Sequence, residues 1–160
     1  MIRQVKLSDA DALCGIYNKY ITGTIITFEE EPITTEEMKS RIKKITQNYP
    51  WLVYEEKGNV VGYTYASRWK ERSAYRYSVE TGIYIDSSYV GMGIGTKLKE
   101  ELLKELKNKS IHSVICGIAL PNPASIALCE KFGFTQIGHF KEVGFKLNKW
   151  IDVGYWELIL

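Results

Sequence analysis

Residues 2–7 (IRQVKL) alternate apolar and polar side chains, which predicts an opening strand. Ser8 and Asp11 then have the form of a helix cap and its third-position acid, with Leu13, Ile16, Tyr17 and Tyr20 following at helical spacing. Residues 21–34 (ITGTIITFEEEPIT) keep neither period and read as irregular chain. Thr34 and Glu37 repeat the capping pattern ahead of a second helix reaching about Gln47. Residues 50–69 predict a hairpin, two β-rich runs around the turn signal KGN. Residues 74–86 (AYRYSVETGIYID), rich in Tyr, Val, Thr and Ile, predict a third strand.

Three alternating glycines, Gly91, Gly93 and Gly95, then open a long helix. On it Ile94, Leu98, Leu102 and Leu106 are spaced by four and form one buried stripe, while Lys97, Lys99, Glu100 and Lys104 cover the other side. Residues 110–120 are almost continuously apolar, which predicts a strand covered on both faces. Asn122 caps the next helix, Pro123 takes its first position and Gly133 ends it. The tail predicts two more strands around a loop at about 144–150. The order β α α β β β α β α β β makes the chain α+β, a single domain over 1–160. Its one parallel crossover runs from the 74–86 strand through the long helix to the strand at 111–118.

Composition narrows the function classes. With 45% apolar and 25% charged residues among 160, the chain suits one globular core. A net charge of +2 from scattered Lys and Arg gives no nucleic-acid footprint, and no apolar run approaches a membrane span. The first residues lack the apolar region of a signal peptide, so a cytoplasmic protein is expected. Cys14, Cys116 and Cys129 are odd in number and widely spaced, which argues against a disulfide framework and a zinc site and fits a reducing compartment. His112 and His139 have no ligand-like spacing, so no metal is expected.

A strand, a glycine turn and a helix start make an anion site. The first N–H groups of a helix lack intrahelical partners, its dipole is positive there, and glycines let an anion reach the backbone. A turn needing glycine only for its shape is the competing reading. A P-loop wants Lys before Ser or Thr, whereas Lys97 follows Thr96; a dinucleotide fold wants G-x-G-x-x-G in its first βαβ unit.

The segment VGMGIGT after VETGIYID resembles the acetyl-CoA motif Q/R-x-x-G-x-G/A of the GNAT superfamily of N-acetyltransferases, and the likeness extends to NPASIALCEKFGF (122–134) and to nearly the whole chain. The segments TFEEEP, WKERSAYRYSVETGIYI and GFKLNKWIDVGYW are similar to the phosphinothricin and methionine-sulfone acetyltransferase branch. The resemblance implies a GNAT-like mixed, mostly antiparallel central sheet flanked by helices, acetyl-CoA as co-substrate, and transfer of its acetyl group by direct attack of the α-amine of a small amino-acid analogue. It also implies a homodimer, which the aromatic-rich tail would suit. Other acceptors within the enzyme class are an aminoglycoside or a protein N-terminus; a non-catalytic acetyl-CoA-binding module is the reading from another class.

The resemblance assigns roles residue by residue. Val90, Gly91, Met92, Gly93, Ile94, Gly95 and Thr96 hold the pyrophosphate; Val90 stands where the motif has Gln or Arg, keeping its N–H but losing a side-chain contact. Gly82, Ile83 and Tyr84 offer backbone groups to the acetyl and pantetheine parts. Asn122 contacts pantetheine, a plain helix cap being the alternative. Glu80 is the candidate base, acting directly or through a water. By alternation it shares a face with Gly82 and Tyr84, opposite Val79, Thr81, Ile83 and Ile85, and a solvated Glu is the bland alternative. Cys129 replaces the His usual in the branch as presumed general acid; it reads either as a weaker proton donor or as a small buried residue. Lys70 and Arg72 face the substrate's acidic group, or form a solvated basic loop. Phe28 is expected as an aromatic wall of the substrate pocket, with Trp69 and Tyr75 nearby; each also reads as ordinary packing.

Overall fold

A computed structural model describes residues 1–160. Seven strands and four helices follow along the chain: β1 (Ile2–Gln4), α1 (Ala10–Gly23), α2 (Thr35–Thr46), β2 (Trp51–Glu56), β3 (Asn59–Arg68), β4 (Ser78–Ile85), α3 (Ile94–Asn108), β5 (Ser113–Ala119), α4 (Pro123–Lys131), β6 (Thr135–Lys146) and β7 (Lys149–Ile159). The strands form one sheet in the order β1-β2-β3-β4-β5-β7-β6. Only β4 and β5 pair in parallel, joined by the α3 crossover. The expected α+β, mostly antiparallel sheet with one parallel crossover is therefore the observed one.

Two cores cover the two faces. On one face α3 and α4 bury Leu98, Leu102, Leu106, Val79, Val114, Cys116, Phe134 and Trp156. On the other, α1 and α2 bury Leu13, Ile16, Tyr17, Met38 and Ile42 against Trp51, Val53 and Tyr63. The alternation read for β4 divides its side chains between these cores, with Val79 on the α3 side and Tyr84 packed against the α1 side. No helix is long and apolar enough to cross a membrane.

Several local expectations are corrected. Ser8 does not cap α1: residues Leu7–Asp9 form a 3-10 turn, and Asp9 Oδ2 accepts the Lys6 N–H at 2.7 Å. The third strand starts at Ser78, because Ser73–Tyr75 is another 3-10 turn. The loop placed at 144–150 shrinks to the turn Leu147–Asn148, both with positive φ (51° and 59°), between Lys146 and its partner Lys149. Neither residue is the glycine that usually signals such a turn. Lys99 leaves the solvent side of α3 and is buried at 2% exposure. Thr34 does cap α2, accepting the Glu37 N–H at 3.1 Å, and Asn122 caps α4 by accepting the Ser125 N–H at 3.1 Å.

Candidate active site

The site begins where the sheet splits. β4 and β5 pair only through Ser78↔Ser113, Val79↔Val114 and Glu80↔Ile115. Beyond them β4 continues along β3 to Ile85 while β5 continues along β7 to Ala119, so the facing edges of the two strands lose their partner. The gap opens into a cavity of about 490 Å³ whose lining comes from both faces of the sheet. Glu80, Gly82, Ile83 and Tyr84 line it from β4, Asn122 and Cys129 from the α4 segment, and Phe28 from the 24–34 segment.

Glu80 sits at the fork. Gly117, two residues beyond Glu80's β5 partner Ile115, makes room for it: a Cβ there would lie 3.1 Å from Glu80 Oε1 and 3.1 Å from the Tyr155 ring. Burial, and secondarily the charge of Cys116, raises the Glu80 carboxyl above its ordinary value, and no protein donor offsets this. An unpaired, half-buried carboxylate facing a cavity is poised to take a proton. Tyr155 and Tyr65 close in around it; burial raises both phenols, with Glu80's charge adding to the effect, so both stay protonated at neutral pH.

The glycine turn does not line the cavity: none of Val90–Thr96 is among its wall residues, and the turn reaches that wall only through Gly95, beside Ile83 and Leu128. Gly91 and Gly93 have φ of 84° and 76°, a conformation glycine adopts freely and L side chains resist. Gly93 is the N-cap of α3. The first hydrogen bond of the helix is Lys97 N–H to Gly93 C=O, which leaves the N–H groups of Ile94, Gly95 and Thr96 without a backbone acceptor. Val90 and Met92 are exposed beside them. Gly95 differs from its neighbours: it lies inside α3 with ordinary φ, and a Cβ there would meet only Leu128 at 3.6 Å and Ile83 at 3.7 Å. Bare backbone and free donors, with Gly95 beside the cavity wall, fit a diphosphate ester with a long arm.

The 24–34 segment is irregular yet pinned. Thr27 Oγ1 meets the Tyr17 hydroxyl at 2.8 Å, buried Lys146 Nζ donates to the Thr27 carbonyl at 2.6 Å, and Arg41 grips Glu29 with two bonds at 2.8 and 2.6 Å. Arg41 holds the Glu29 carboxyl below its usual value. These ties set the Phe28 ring against Gly144 of β6, where any Cβ would collide with it.

The basic segment lies apart from the lining. Lys70, Arg72 and Tyr75 are exposed and do not line the cavity. Arg72 leads into the Ser73–Tyr75 turn, and Lys70 Nζ lies 5.6 Å from the Trp69 ring centre. Trp69 meets the cavity-lining Tyr155 edge-on at 5.8 Å, which ties this segment to the cavity's wall. Cys129 is buried at 4% exposure; the neighbouring Cys116 together with burial pushes its thiol up, so it is a weak acid. No His, Cys, Asp and Glu side chains group as metal ligands would; His139 Nε2 instead pairs with Asp152 at 2.7 Å.

Sequence reading missed Gly117, Tyr65 and Tyr155, which shape the space around Glu80. Their signal was weak, since each looks like ordinary strand sequence until register sets it beside the fork.

A model of the acetyltransferase (GNAT) domain matches residues 2–154. The phosphinothricin N-acetyltransferase of Streptomyces viridochromogenes is 37% identical over 98% of this chain and 85% of its own. The L-methionine sulfoximine/L-methionine sulfone acetyltransferase of Salmonella typhimurium is 31% identical over 99% of this chain and 94% of its own. Among solved structures, a GNAT superfamily phosphinothricin acetyltransferase from Sinorhizobium meliloti, in complex with acetyl-CoA, superposes with a TM-score of 0.97 at 35% identity, covering 100% of this chain and 88% of its own. By sequence and by fold, this chain belongs to the GNAT acetyltransferase family.

Proposed function

We propose that the protein transfers the acetyl group of acetyl-CoA to the α-amine of a small amino-acid analogue of the phosphinothricin, methionine sulfone or methionine sulfoximine type. The observation that carries this reading is an unpaired, half-buried Glu80 at the fork of β4 and β5, in a cavity whose wall residues Ile83 and Leu128 lie beside Gly95 in the first turn of α3. The acceptor class follows the relatives, which are named for these substrates.

Residues Val90 to Thr96 hold the pyrophosphate through backbone N–H groups and the positive end of α3. Asn122 and the unpaired edge of β4 at Gly82, Ile83 and Tyr84 align the pantetheine arm. Acetyl-CoA supplies an acyl thioester open to attack by an amine. Glu80 removes the amine's proton, directly or through one water, and its raised basicity suits that task near neutral pH. The β4 edge offers N–H groups to the carbonyl oxygen. Cys129 is too weak an acid to protonate the departing thiolate, which takes its proton from solvent. Phe28 and Tyr155 wall the acceptor, Trp69 and Tyr75 flank its entry, and Lys70 and Arg72 attract its acidic group from the rim.

The reaction belongs in the cytoplasm, where acetyl-CoA is made and used, and acetylating a toxic analogue there confers resistance to it. A homodimer through the β6–β7 hairpin is part of the same reading: Phe140, Val143, Phe145, Leu147 and Trp150 leave an apolar face exposed there. Thiol release from acetyl-CoA with a panel of amines tests the proposal. Saturable release with phosphinothricin or methionine sulfone supports it; release only with an aminoglycoside or a peptide N-terminus discards the acceptor; acetyl-CoA binding without release from any amine discards catalysis.

A further inference from the structure

Lys99 is a buried charge that the proposed reaction does not use. It projects from α3 into the core at 2% exposure, with Nζ 3.0 Å from Cys116 Sγ, 3.2 Å from Thr81 Oγ1 and 4.5 Å from the centre of the Phe134 ring. Those two atoms take all of its hydrogen bonds, and it makes no ion pair with a carboxylate. A buried ammonium without a counter-charge is strongly disfavoured. The acid within its reach is the Cys116 thiol.

Two polar groups meet that sulfur from two elements: Lys99 of α3 donates to it at 3.0 Å, and the Thr81 hydroxyl of β4 lies 3.1 Å away, free to donate to a thiolate, while Cys129 of α4 lines the same cavity. Such a shell stabilises a thiolate. The Cys129 contact, ahead of Lys99, pulls the Cys116 thiol down, and the same contact pushes the Cys129 thiol up. The acidic groups nearby are Glu80 across β4 and Glu130 on α4, and the cross-strand neighbour on β7 is the uncharged Trp156. Lys99, in direct contact, outweighs both carboxylates. Cys14 is the internal contrast: its thiol donates to the Ile33 carbonyl at 3.0 Å and accepts from the Asn18 amide at 3.3 Å, with no cation bonded to it.

We propose that Cys116, paired with Lys99, is a thiolate modification site that hydroperoxides oxidise through the cavity, with Cys129 as its disulfide partner. The Cys116 sulfur attacks one peroxide oxygen. The S–O bond forms as the O–O bond breaks, sulfur is oxidised by two electrons, and the departing hydroxide or alkoxide takes a proton from water. The Cys129 sulfur then attacks Cys116, forming the S–S bond as the S–O bond breaks. The hydroxide leaves with the Cys129 proton as water. Cys116, Cys129 and Lys99 all line the cavity, so the bridge would tie α4 to β5 along its wall.

The test is alkylation of the folded full-length protein by iodoacetamide at about pH 6.5, read at each cysteine by peptide mass spectrometry. An ordinary thiol is only about 1% thiolate there, so Cys116 is expected to react at least about tenfold faster in the wild type than in Lys99→Met. Lys99→Arg, which keeps the charge, is expected to retain fast labelling. Hydrogen peroxide is expected to give a Cys116–Cys129 cross-linked peptide pair that dithiothreitol reverses. In Cys129→Ser, oxidation stops at a Cys116 sulfenate trapped by dimedone. Should Lys99→Met fail to fold, the wild type decides: the pH midpoint for Cys116 labelling lies below the ordinary thiol value of about 8.5. Equal rates with and without Lys99, a Cys116 midpoint at or above about 8.5, or neither cross-link nor trapped sulfenate would overturn the proposal.

Discussion

Replacing Glu80 with Gln changes one property and little else. The side chain keeps its length, and Gly117 leaves it the same space, with Oε1 3.1 Å from where a Cβ would stand. The carboxylate accepts no hydrogen bond from the protein, so the amide breaks none. The loss is therefore the proton-accepting function. A positioned base contributes about 10²–10⁴ in rate, or about 2.7–5.5 kcal/mol of barrier, and kcat should fall by that factor. Stability should move the other way. Burial raises the folded pKa of Glu80 above its unfolded value, so the group's favourable contribution is complete below the ordinary carboxylate range and lost as pH rises through the folded value. Gln never ionises. Glu80→Gln should thus melt at or above the wild-type temperature near pH 8, with the difference closing toward about pH 4. Thiol release against pH, calorimetric binding of acetyl-CoA and thermal melts read all three quantities. In the wild type, activity should rise with pH along a limb lying above the usual carboxylate value; in the variant the limb should vanish while acetyl-CoA affinity holds. Wild-type turnover in Glu80→Gln would refute the base assignment, and a lower melting temperature at pH 8 would reduce the effect to damaged folding.

Gly93→Val should abolish acetyl-CoA binding measured by calorimetry, because φ of 76° excludes a β-branched residue, whereas Gly95→Ala, with ordinary φ and no contact under 3.6 Å, should bind nearly as the wild type does. Gly117→Ala should lower kcat with little change in acetyl-CoA affinity, since its methyl group presses on Glu80 and Tyr155 at once. Leu102→Ala, at the centre of the α3 stripe and fully buried, should cost about 2–5 kcal/mol in denaturant unfolding while leaving the residual folded enzyme active.

The features legible in the sequence were those that repeat a local rule. The α3 stripe, the Thr34 and Asn122 caps, the hairpin at 50–69 and the doubly covered strand β5 follow from period and cap chemistry, so their residues sit where the pattern puts them. Order along the chain then fixed the crossover. What escaped depends on partners distant in sequence. Lys99 was assigned to solvent by its charge, yet its neighbours Thr81, Cys116 and Phe134 come from three other segments. Gly117 gave no turn signal because its purpose is the space beside Glu80, set by the β4–β5 register. The Leu147–Asn148 turn lacked the usual glycine, so the last hairpin was read with too long a loop. In the glycine motif, pattern suggested three equivalent positions, while the backbone separates Gly91 and Gly93 from Gly95.

The most direct test of the central claim is to incubate the wild-type protein with acetyl-CoA and phosphinothricin or methionine sulfone, and to identify the product by mass spectrometry and NMR while counting released thiol. One acetyl group on the α-nitrogen is expected for each CoA set free. Unmodified amine, with acetyl-CoA bound and intact, would contradict it.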